Sequence, residues 1–177
     1  MTTVEALLAP YRGPAGNQPY DELVTETEHA LQCADLAIDD GATDALIVAA
    51  LFHDIGHVID PADEHHELTG ARYLRRRFGR DVAGPVGLHV EAKRYLVAVD
   101  PDYAGKLSVG SVASLELQGG PLPRHCVRSF EAARHWADAV ALRRWDDAAK
   151  EPGRPTRTLE DHVDRIHAML RQARVTP

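Results

Sequence analysis

The most informative stretch of the sequence is Ala45–His57, which reads ALIVAALFHDIGH. Its first eight residues are apolar, which predicts a helix buried on nearly every side. Thr43 or Asp44 is placed to cap this helix at its amino end. The apolar run then gives way to histidines and an aspartate. Because a buried carboxylate is costly unless it is paired or bound to a metal, His53-Asp54 indicates a polar site at the end of a core helix.

The pattern of apolar residues around this stretch predicts further helices and an all-α fold. Alternating β-type runs are almost absent, and aromatic residues make up only 6% of the chain. Gly41 and Gly79 stand where helices are expected to stop. The predicted helices cover residues 4–8, 21–39, 45–54, 64–78, 86–97, 108–118, 129–149 and 158–174.

Length and composition favour one globular domain. The 177 residues divide into an N-terminal helix and loop (1–19), a catalytic core (20–150) and a C-terminal loop and helix (151–177). The net charge of −7 argues against nucleic acid as a partner. No apolar run approaches roughly 18 residues and no secretory signal is evident, so we expect no membrane span. Cys33 and Cys126 are far apart, and a reducing cytoplasm is therefore expected.

Histidine is unusually frequent, with ten residues in the chain. His29, His66 and His89 each lie in a different predicted helix, and Asp146 lies near the end of a later one. Together with the His53-Asp54 pair, these side chains are enough to hold two metal ions if Asp54 bridges them. Histidine nitrogen and aspartate oxygen suit a first-row metal such as iron or manganese. The spacing is not that of a zinc finger or an HExxH helix. An isolated HD pair is more often only a polar helix end.

Three further spacings place polar side chains on the faces of these helices. Lys93 follows His89 by four residues, which predicts an ammonium group beside the metal site, although a lone lysine is usually a solvated surface charge. His57 follows His53 by four residues, but Gly56 between them leaves a solvated histidine as the alternative. Ser111 and Ser114 are three apart and share a helical face.

The order of these residues resembles the H…HD…D pattern of the HD-domain superfamily, and His66 and His89 resemble the additions found in its dinuclear branch. Most members of this superfamily are metal-dependent phosphohydrolases. A smaller branch contains the mixed-valence diiron oxygenases, and several segments here are similar to its phosphonate-cleaving members. Those segments are EHALQCA (28–34), AALFHDIGH (49–57), HE (66–67) with GARYL (70–74), HVEAKRYLV (89–97), LELQGGP (115–121) and RRWD (143–146).

This resemblance implies an all-α HD-domain bundle with a dinuclear iron site, Fe(II)/Fe(III), in its core. One iron would be held by His29, His53, Asp54 and Asp146. The other would be held by Asp54, His66 and His89, with positions left open for substrate and dioxygen. Among these ligands, His53 and Asp54 are expected to be catalytic, together with Lys93.

The resemblance also implies a set of substrate contacts. The residues that match phosphonate-binding positions are His57, Lys93, Ser111, Ser114 and Gln118. Tyr20 and Glu22 match a mobile lid, in which the tyrosine occupies the dioxygen-accessible position until substrate arrives and the glutamate recognises an amine. Relatives carry glutamine where this chain has Glu26, and that extra carboxylate leaves the organic half of the substrate open.

The implied activity is oxygen-dependent cleavage of the carbon–phosphorus bond of a small 1-hydroxyphosphonate. The expected substrates are 2-amino-1-hydroxyethylphosphonate or its trimethylammonio analogue, which would give inorganic phosphate and glycine or betaine. The first alternative is an HD phosphohydrolase that uses the same ligands on a phosphate ester without dioxygen. The second is a non-catalytic HD domain that binds a metabolite or partner. The sequence makes no prediction of the oligomeric state.

Overall fold

Ten α-helices make up most of residues 3–20 and 23–175, the parts of the chain that the computed structural model describes. Within these ranges the β pairing is limited to an isolated bridge between Pro19 and Thr25. The all-α prediction is therefore confirmed. The helices are α1 (Val4–Arg12), α2 (Glu26–Asp39), α3 (Asp44–Phe52), α4 (Ile55–Ile59), α5 (His66–Phe78), α6 (Arg80–Val99), α7 (Val109–Leu117), α8 (Arg124–Glu131), α9 (Trp136–Ala148) and α10 (Val163–Val175).

Side-chain caps set the amino ends of α2 and α3. The Thr25 hydroxyl accepts a hydrogen bond from the Glu28 amide, and the Glu28 carboxylate accepts one from the Thr25 amide, which forms a capping box. Helix α2 therefore begins at Glu26, five residues later than predicted. Thr43 caps α3, and it was one of the two residues predicted to do so.

Helix α3 is the central helix of the core. Every residue from Leu46 to Phe52 is buried, which confirms the prediction from its continuous apolar run. The helix ends at Phe52, two residues earlier than expected, and α4 begins at Ile55. The His53-Asp54 pair thus occupies a corner between two helices, where both side chains turn toward the same side of the core.

The α5–α6 hairpin packs against this corner. Gly79 joins the two helices with φ of +82°, a left-handed conformation that favours glycine. Helix α6 begins at Arg80, so the predicted start at Val86 is wrong. Pro85 lies inside the helix. It cannot donate a backbone hydrogen bond, but the loss of this one bond does not end the helix here.

The predicted helix over residues 129–149 is in fact two helices, α8 and α9, separated by a corner at residues 132–135. Two contacts explain the corner. The Phe130 and Trp136 rings pack with Tyr95 of α6 at centroid distances of 4.8 to 6.4 Å. His135 lies directly over Gly84, where no side chain intervenes. A straight helix would carry these groups away from α6.

Two apolar clusters flank the predicted site. The larger surrounds α3 and includes Leu51, Leu74 and Leu142, and the smaller surrounds Tyr95. Buried polar side chains at the HD corner and on α6 are His53, Asp54, His89 and Lys93. Among the helices of the described ranges, none has the length and apolar character needed to cross a membrane.

The contact between α4 and α5 is too close for any side chain at Gly56. A Cβ atom there would lie 2.1 Å from the backbone oxygen of His66. We expect Gly56→Ala to lower the free energy of unfolding by about 1 to 3 kcal/mol or more, because backbone must move. Chemical denaturation measures this loss. Gly105→Ala is the matched control, since nothing lies within 4 Å of its Cβ position. Equal stability of the two variants would contradict the packing described for α4.

Candidate metal centre

Six histidine and aspartate side chains from five elements converge in the core, and all six are buried. They form two groups, and within each group the potential ligand atoms lie within 4.8 Å of one another. The first group is His29, His53 and Asp146, and the second is Asp54, His66 and His89. All six residues predicted as metal ligands are therefore brought together.

The imidazole rings are held with one nitrogen facing the centre. Nδ1 of His29 lies 2.8 Å from the Ala149 carbonyl oxygen. Nδ1 of His53 and Nδ1 of His89 lie 2.8 and 2.7 Å from the carbonyl oxygens three residues before them in the chain. Since a carbonyl can only accept, these Nδ1 atoms carry the protons and the Nε2 lone pairs are free to bind a metal.

Asp54 lies between the two groups. Its Oδ2 is 3.1 Å from Nε2 of His53, and its Oδ1 is 3.3 Å from Nε2 of His66 and 3.5 Å from Nε2 of His89. Oδ1 is buried, and no hydrogen bond to it is formed within the described residues. A carboxylate that directs one oxygen to each group has the arrangement expected of a bridging ligand.

The facing histidines give a second indication of bound cations. The Nε2 atoms of His29 and His53 are 3.2 Å apart, and so are those of His66 and His89. With Nδ1 of His29 and His53 directed at carbonyl oxygens, the neutral forms of these two rings present Nε2 lone pairs toward each other, which a metal ion between them would resolve. His89 directs its Nε2 lone pair toward His66 in the same way. Burial lowers the pKa of His89 to about 3, consistent with a neutral ligand. The donor set of four histidines and two aspartates fits two first-row metal ions.

Arg143 supports the carboxylate of Asp146. Its guanidinium lies 2.6 Å from Asp146 Oδ2 and also pairs with Asp147, which accepts a hydrogen bond from the Tyr103 hydroxyl. Burial opposes the charge on Asp146, but Arg143 and His29 hold the pKa of this carboxyl well below its usual range. Burial likewise opposes the charge on Asp54, but in the metal-free protein a proton on Nε2 of His53 lowers the pKa of Asp54, and the carboxylate in turn raises the pKa of His53. A bound metal ion would take the place of that proton. Both carboxylates are therefore ionised, as metal ligands must be.

A cavity of about 710 Å³ opens beside the two groups. Its lining includes every described residue that was predicted to bind substrate: Tyr20, His57, Lys93, Ser111, Ser114 and Gln118. The His57 ring stacks on His66 at a centroid distance of 3.8 Å. Burial lowers the pKa of His57. Oδ1 of Asp54 and Oε1 of Gln118 are both buried without a hydrogen bond in the described parts of the chain, so the cavity offers unsatisfied polar atoms to a ligand.

Lys93 occupies the position expected from its spacing to His89. Both side chains project from one face of α6, and the lysine is only 2% exposed. Its Nζ donates a hydrogen bond of 2.7 Å to the Ser114 hydroxyl. Burial lowers the pKa of Lys93 to about 8, with Arg143 contributing in the same direction. An anion that binds beside such a desolvated ammonium group stabilises its charge.

Tyr20 covers one side of the first metal-binding group. Its ring stacks on His29 at 3.6 Å, nearly parallel, and its hydroxyl donates a hydrogen bond of 3.1 Å to Asp146. Glu22, the second predicted lid residue, lies outside the described residues. The half-buried Glu26 is not among the residues that line the cavity in the described part of the chain. Burial, and then the nearby charge of Asp54, raise its pKa to about 8.

Comparison with known proteins connects this geometry to a family. The HD-domain family model matches residues 27–109, which contain His29, His53, Asp54, His66 and His89. A hydroxymethylphosphonate dioxygenase of Gimesia maris is 44% identical over 165 residues, which cover 88% of this chain and 82% of that protein. The chain belongs to the family of HD-domain phosphonate dioxygenases.

Two further proteins are similar to this chain. The [1-hydroxy-2-(trimethylamino)ethyl]phosphonate dioxygenase (glycine-betaine-forming) of Leisingera caerulea is 40% identical over 145 residues, 76% of this chain and 74% of its own. An uncharacterized protein of Acanthamoeba polyphaga mimivirus is 32% identical over 158 residues, 83% of this chain and 72% of its own. The predicted membership in the phosphonate-cleaving HD-domain oxygenases is confirmed, and these named dioxygenases are oxidoreductases.

Two residues near the centre of this HD-domain protein were assigned no role from the sequence, although Arg143 stands in the RRWD segment (143–146). Arg143 precedes Asp146 by three residues, and Lys150 follows it by four. Both spacings bring a side chain near the face of a helix that carries Asp146, which is the signal that could have found them. Arginine and lysine are frequent on solvated helix faces. The spacing alone therefore does not distinguish these two residues from surface charges, whereas their burial in the structure does.

Proposed function

We propose that this protein is a dioxygenase that cleaves the carbon–phosphorus bond of a small 1-hydroxyphosphonate and releases inorganic phosphate. The observation that carries the proposal is the cavity beside the six converging ligands, whose lining combines Lys93 with serine hydroxyls suited to a phosphonate. The relatives that are named phosphonate dioxygenases support the same reaction. The balanced reaction converts RCH(OH)PO₃H₂ and O₂ into RCOOH and H₃PO₄, so one dioxygen is used for each phosphate.

The proposed cofactor is a pair of iron ions, Fe(II)/Fe(III). His29, His53, Asp54 and Asp146 would hold one ion. Asp54, His66 and His89 would hold the other. When bound, the pair supplies Lewis acidity toward the substrate oxygens and the redox chemistry with dioxygen. The protein contributes positions and charge: the backbone carbonyls fix the imidazole rings, and Arg143 fixes the Asp146 carboxylate.

The proposed phosphonate site lies along α7. Ser111 and Ser114 offer hydroxyls to the phosphonate oxygens, and Lys93 offers an ammonium group beside Ser114. His57 and Gln118 line the same cavity. Charge-assisted hydrogen bonds of this kind hold the substrate in one orientation, and they also stabilise the additional charge of the phosphate that forms.

Tyr20 and Glu22 form the proposed lid. The Tyr20 hydroxyl on Asp146 and its ring on His29 cover the first group of ligands. Displacement of this side chain by substrate would admit dioxygen only when substrate is present. The proposal assigns recognition of a substrate amine to Glu22.

The proposed substrate has a cationic organic end. Among the described residues, four carboxylates other than the metal ligands line the cavity, together with four cationic side chains, and these carboxylates could contact a cationic group of the substrate. These residues are Asp63, Glu64, Glu67 and Glu91. We propose 2-amino-1-hydroxyethylphosphonate and its trimethylammonio analogue as substrates, with hydroxymethylphosphonate, named for the Gimesia maris relative, as a further candidate. The products would be glycine or betaine with phosphate.

The test is phosphate release by iron-loaded protein from each of these three phosphonates, in air and under argon. The proposal expects release only in air, with the matching carboxylic acid as the second product. A phosphate ester hydrolysed equally well under argon would replace the proposal with an HD phosphohydrolase. Release from none of these phosphonates, with no ester hydrolysed, would reject the three substrates and favour the non-catalytic alternative.

The pKa of Lys93 predicts how activity depends on pH. Because phosphonate binding requires the charged amine, and the pKa of Lys93 in the free protein is about 8, kcat/KM should fall as the pH rises through about 8. Lys93→Arg should move this decline to higher pH, since a guanidinium stays protonated. The exposed Lys106 supplies the control, because Lys106→Arg should leave the profile unchanged. A profile identical in all three proteins would contradict the role of Lys93.

The remaining predictions concern the cellular location, the binding partners and the domain organisation of the protein. Both cysteines are free, which suits the reducing cytoplasm in which we expect the reaction to occur. The absence of a nucleic-acid partner and the organisation as a single domain over residues 1–177 stay predictions.

A further inference from the structure

Lys150 places a second ammonium group in the cavity that contains Lys93. It lies just beyond the carboxyl end of α9 and is half-buried. Its Nζ is 3.1 Å from the Ser111 hydroxyl and 3.3 Å from the Ser108 hydroxyl, both on α7 or its cap. The same nitrogen lies 5.5 Å from the centre of the Tyr20 ring, within the range of a cation–π contact.

The partners of these two lysines are neutral. Lys93 donates to Ser114 and Lys150 to Ser108 and Ser111, and no carboxylate of the described residues forms an ion pair with either. An ammonium group has three donors, so each lysine has capacity left. Partly desolvated cations without a counterion raise the affinity of a site for an anion.

The serines of α7 connect the two lysines. Ser108, Ser111 and Ser114 follow one another at intervals of three residues and so share one side of the helix, and all three line the cavity. Lys150 reaches the row at Ser108 and Ser111, and Lys93 reaches it at Ser114. A tetrahedral anion placed on this row would contact an ammonium group at each end.

We propose that Lys150 is a phosphonate-binding residue that acts together with Lys93 and makes the site select a dianion over a monoanion. This inference rests on the proposed function, because it assigns Lys150 to the same substrate. The phosphonate would take the third hydrogen of the Lys150 ammonium group and share the Ser111 hydroxyl. A carboxylate has one charge and two oxygens, so it would gain little from the second lysine.

Calorimetric binding to metal-loaded protein under argon tests the proposal without turnover. The two ligands are hydroxymethylphosphonate and glycolate, its carboxylate counterpart. Lys150→Met should weaken hydroxymethylphosphonate binding by about 10- to 100-fold, the loss expected for a charge-assisted hydrogen bond. Glycolate binding should change much less. Lys150→Arg should retain most of the phosphonate affinity, and Lys106→Met should bind both ligands as the wild type does.

Equal phosphonate affinity in wild type and Lys150→Met would overturn the proposal, and so would an equal loss for both ligands, which would indicate that Lys150 only ties α7 to α9. If Lys150→Met does not fold, the proposal is tested by acetylating the lysines of the wild type with and without hydroxymethylphosphonate. The chain has three lysines. Hydroxymethylphosphonate should protect Lys93 and Lys150 but not Lys106. Failure to protect Lys150 would refute the proposal.

The two proposals fail in different ways. Normal oxygen-dependent turnover with unchanged binding in Lys150→Met would reject only the role of Lys150. A wild type that binds hydroxymethylphosphonate through Lys150 but does not cleave any 1-hydroxyphosphonate in air would reject the dioxygenase while keeping the dianion site. A wild type that neither binds nor cleaves phosphonates would overturn both.

Discussion

Asp54→Asn should leave at most one of the two metal ions bound and should reduce turnover by about 1,000-fold or more, the scale typical of losing a group at the reacting centre. The substitution keeps the shape of the side chain but removes the charge and one acceptor oxygen. Since each carboxylate oxygen of Asp54 faces a different histidine group, an amide could serve at most one of them. The measurement is iron content per protein after loading and removal of excess metal, followed by phosphate release in air.

The control for Asp54→Asn is Asp164→Asn, an equal chemical change on the exposed side of α10. It should leave both metal content and turnover unchanged. An Asp54→Asn protein that retains two irons would contradict the bridging geometry. Loss of one or both irons, together with loss of turnover, is the result that the bridging position predicts.

The second large effect is expected at Arg143. Arg143→Leu would leave Asp146 and Asp147 without their buried cation, and breaking such a pair costs about 3 to 5 kcal/mol of stability. The loss should be greatest in metal-free protein. A bound metal ion would itself neutralise part of the Asp146 charge, so loading with iron should recover some of the lost stability. Urea unfolding of the metal-free and loaded forms measures both quantities.

The adjacent Arg144 provides the matched control for Arg143. It is half-exposed and pairs with Asp100 at 3.3 Å, so Arg144→Leu should change stability by less than about 1 kcal/mol. A similar cost for the two arginines would show that burial of the Arg143 ion pairs does not stabilise the fold. A loss for Arg143→Leu that is the same with and without iron would contradict the connection between Asp146 and the metal.

Much of the site could be predicted because its polar residues interrupt helices that are otherwise apolar. Helix α3 is continuously apolar and ends in His53-Asp54, and His29 and His89 interrupt apolar helices. Polar groups at such positions need a partner, and a metal ion satisfies all of them at once. The spacing of His89 and Lys93 was equally informative, since four residues on a helix place two side chains on one face.

The corners of the fold could not be predicted because they depend on contacts between distant residues. The separation of α8 from α9 depends on Phe130 and Trp136 packing against Tyr95, and residues 129–149 show no local break signal such as glycine or proline. The prediction at Pro85 was wrong in the opposite sense, because it placed a helix boundary where the helix is continuous. It is a local stop signal, yet α6 continues through it because its packing against α5 and α9 outweighs one missing hydrogen bond.

Lys150 shows the same limit within the site. Its sequence neighbourhood is the polar carboxyl end of a helix, where a lysine is ordinary and favoured. Only the approach of α7 to this end reveals that its ammonium group meets Ser108 and Ser111 rather than water. Residues that gain a function from the packing of separate elements carry little signal in the sequence.

The most direct test of the central claim is the ratio of dioxygen consumed to phosphate released by the iron-loaded protein. An oxygen electrode and a phosphate assay, run together on 2-amino-1-hydroxyethylphosphonate or the best substrate found, give both quantities. A dioxygenase that follows the balanced reaction must consume one dioxygen for each phosphate, and the reaction must stop when oxygen is exhausted. Phosphate release that continues without any uptake of dioxygen would contradict the account.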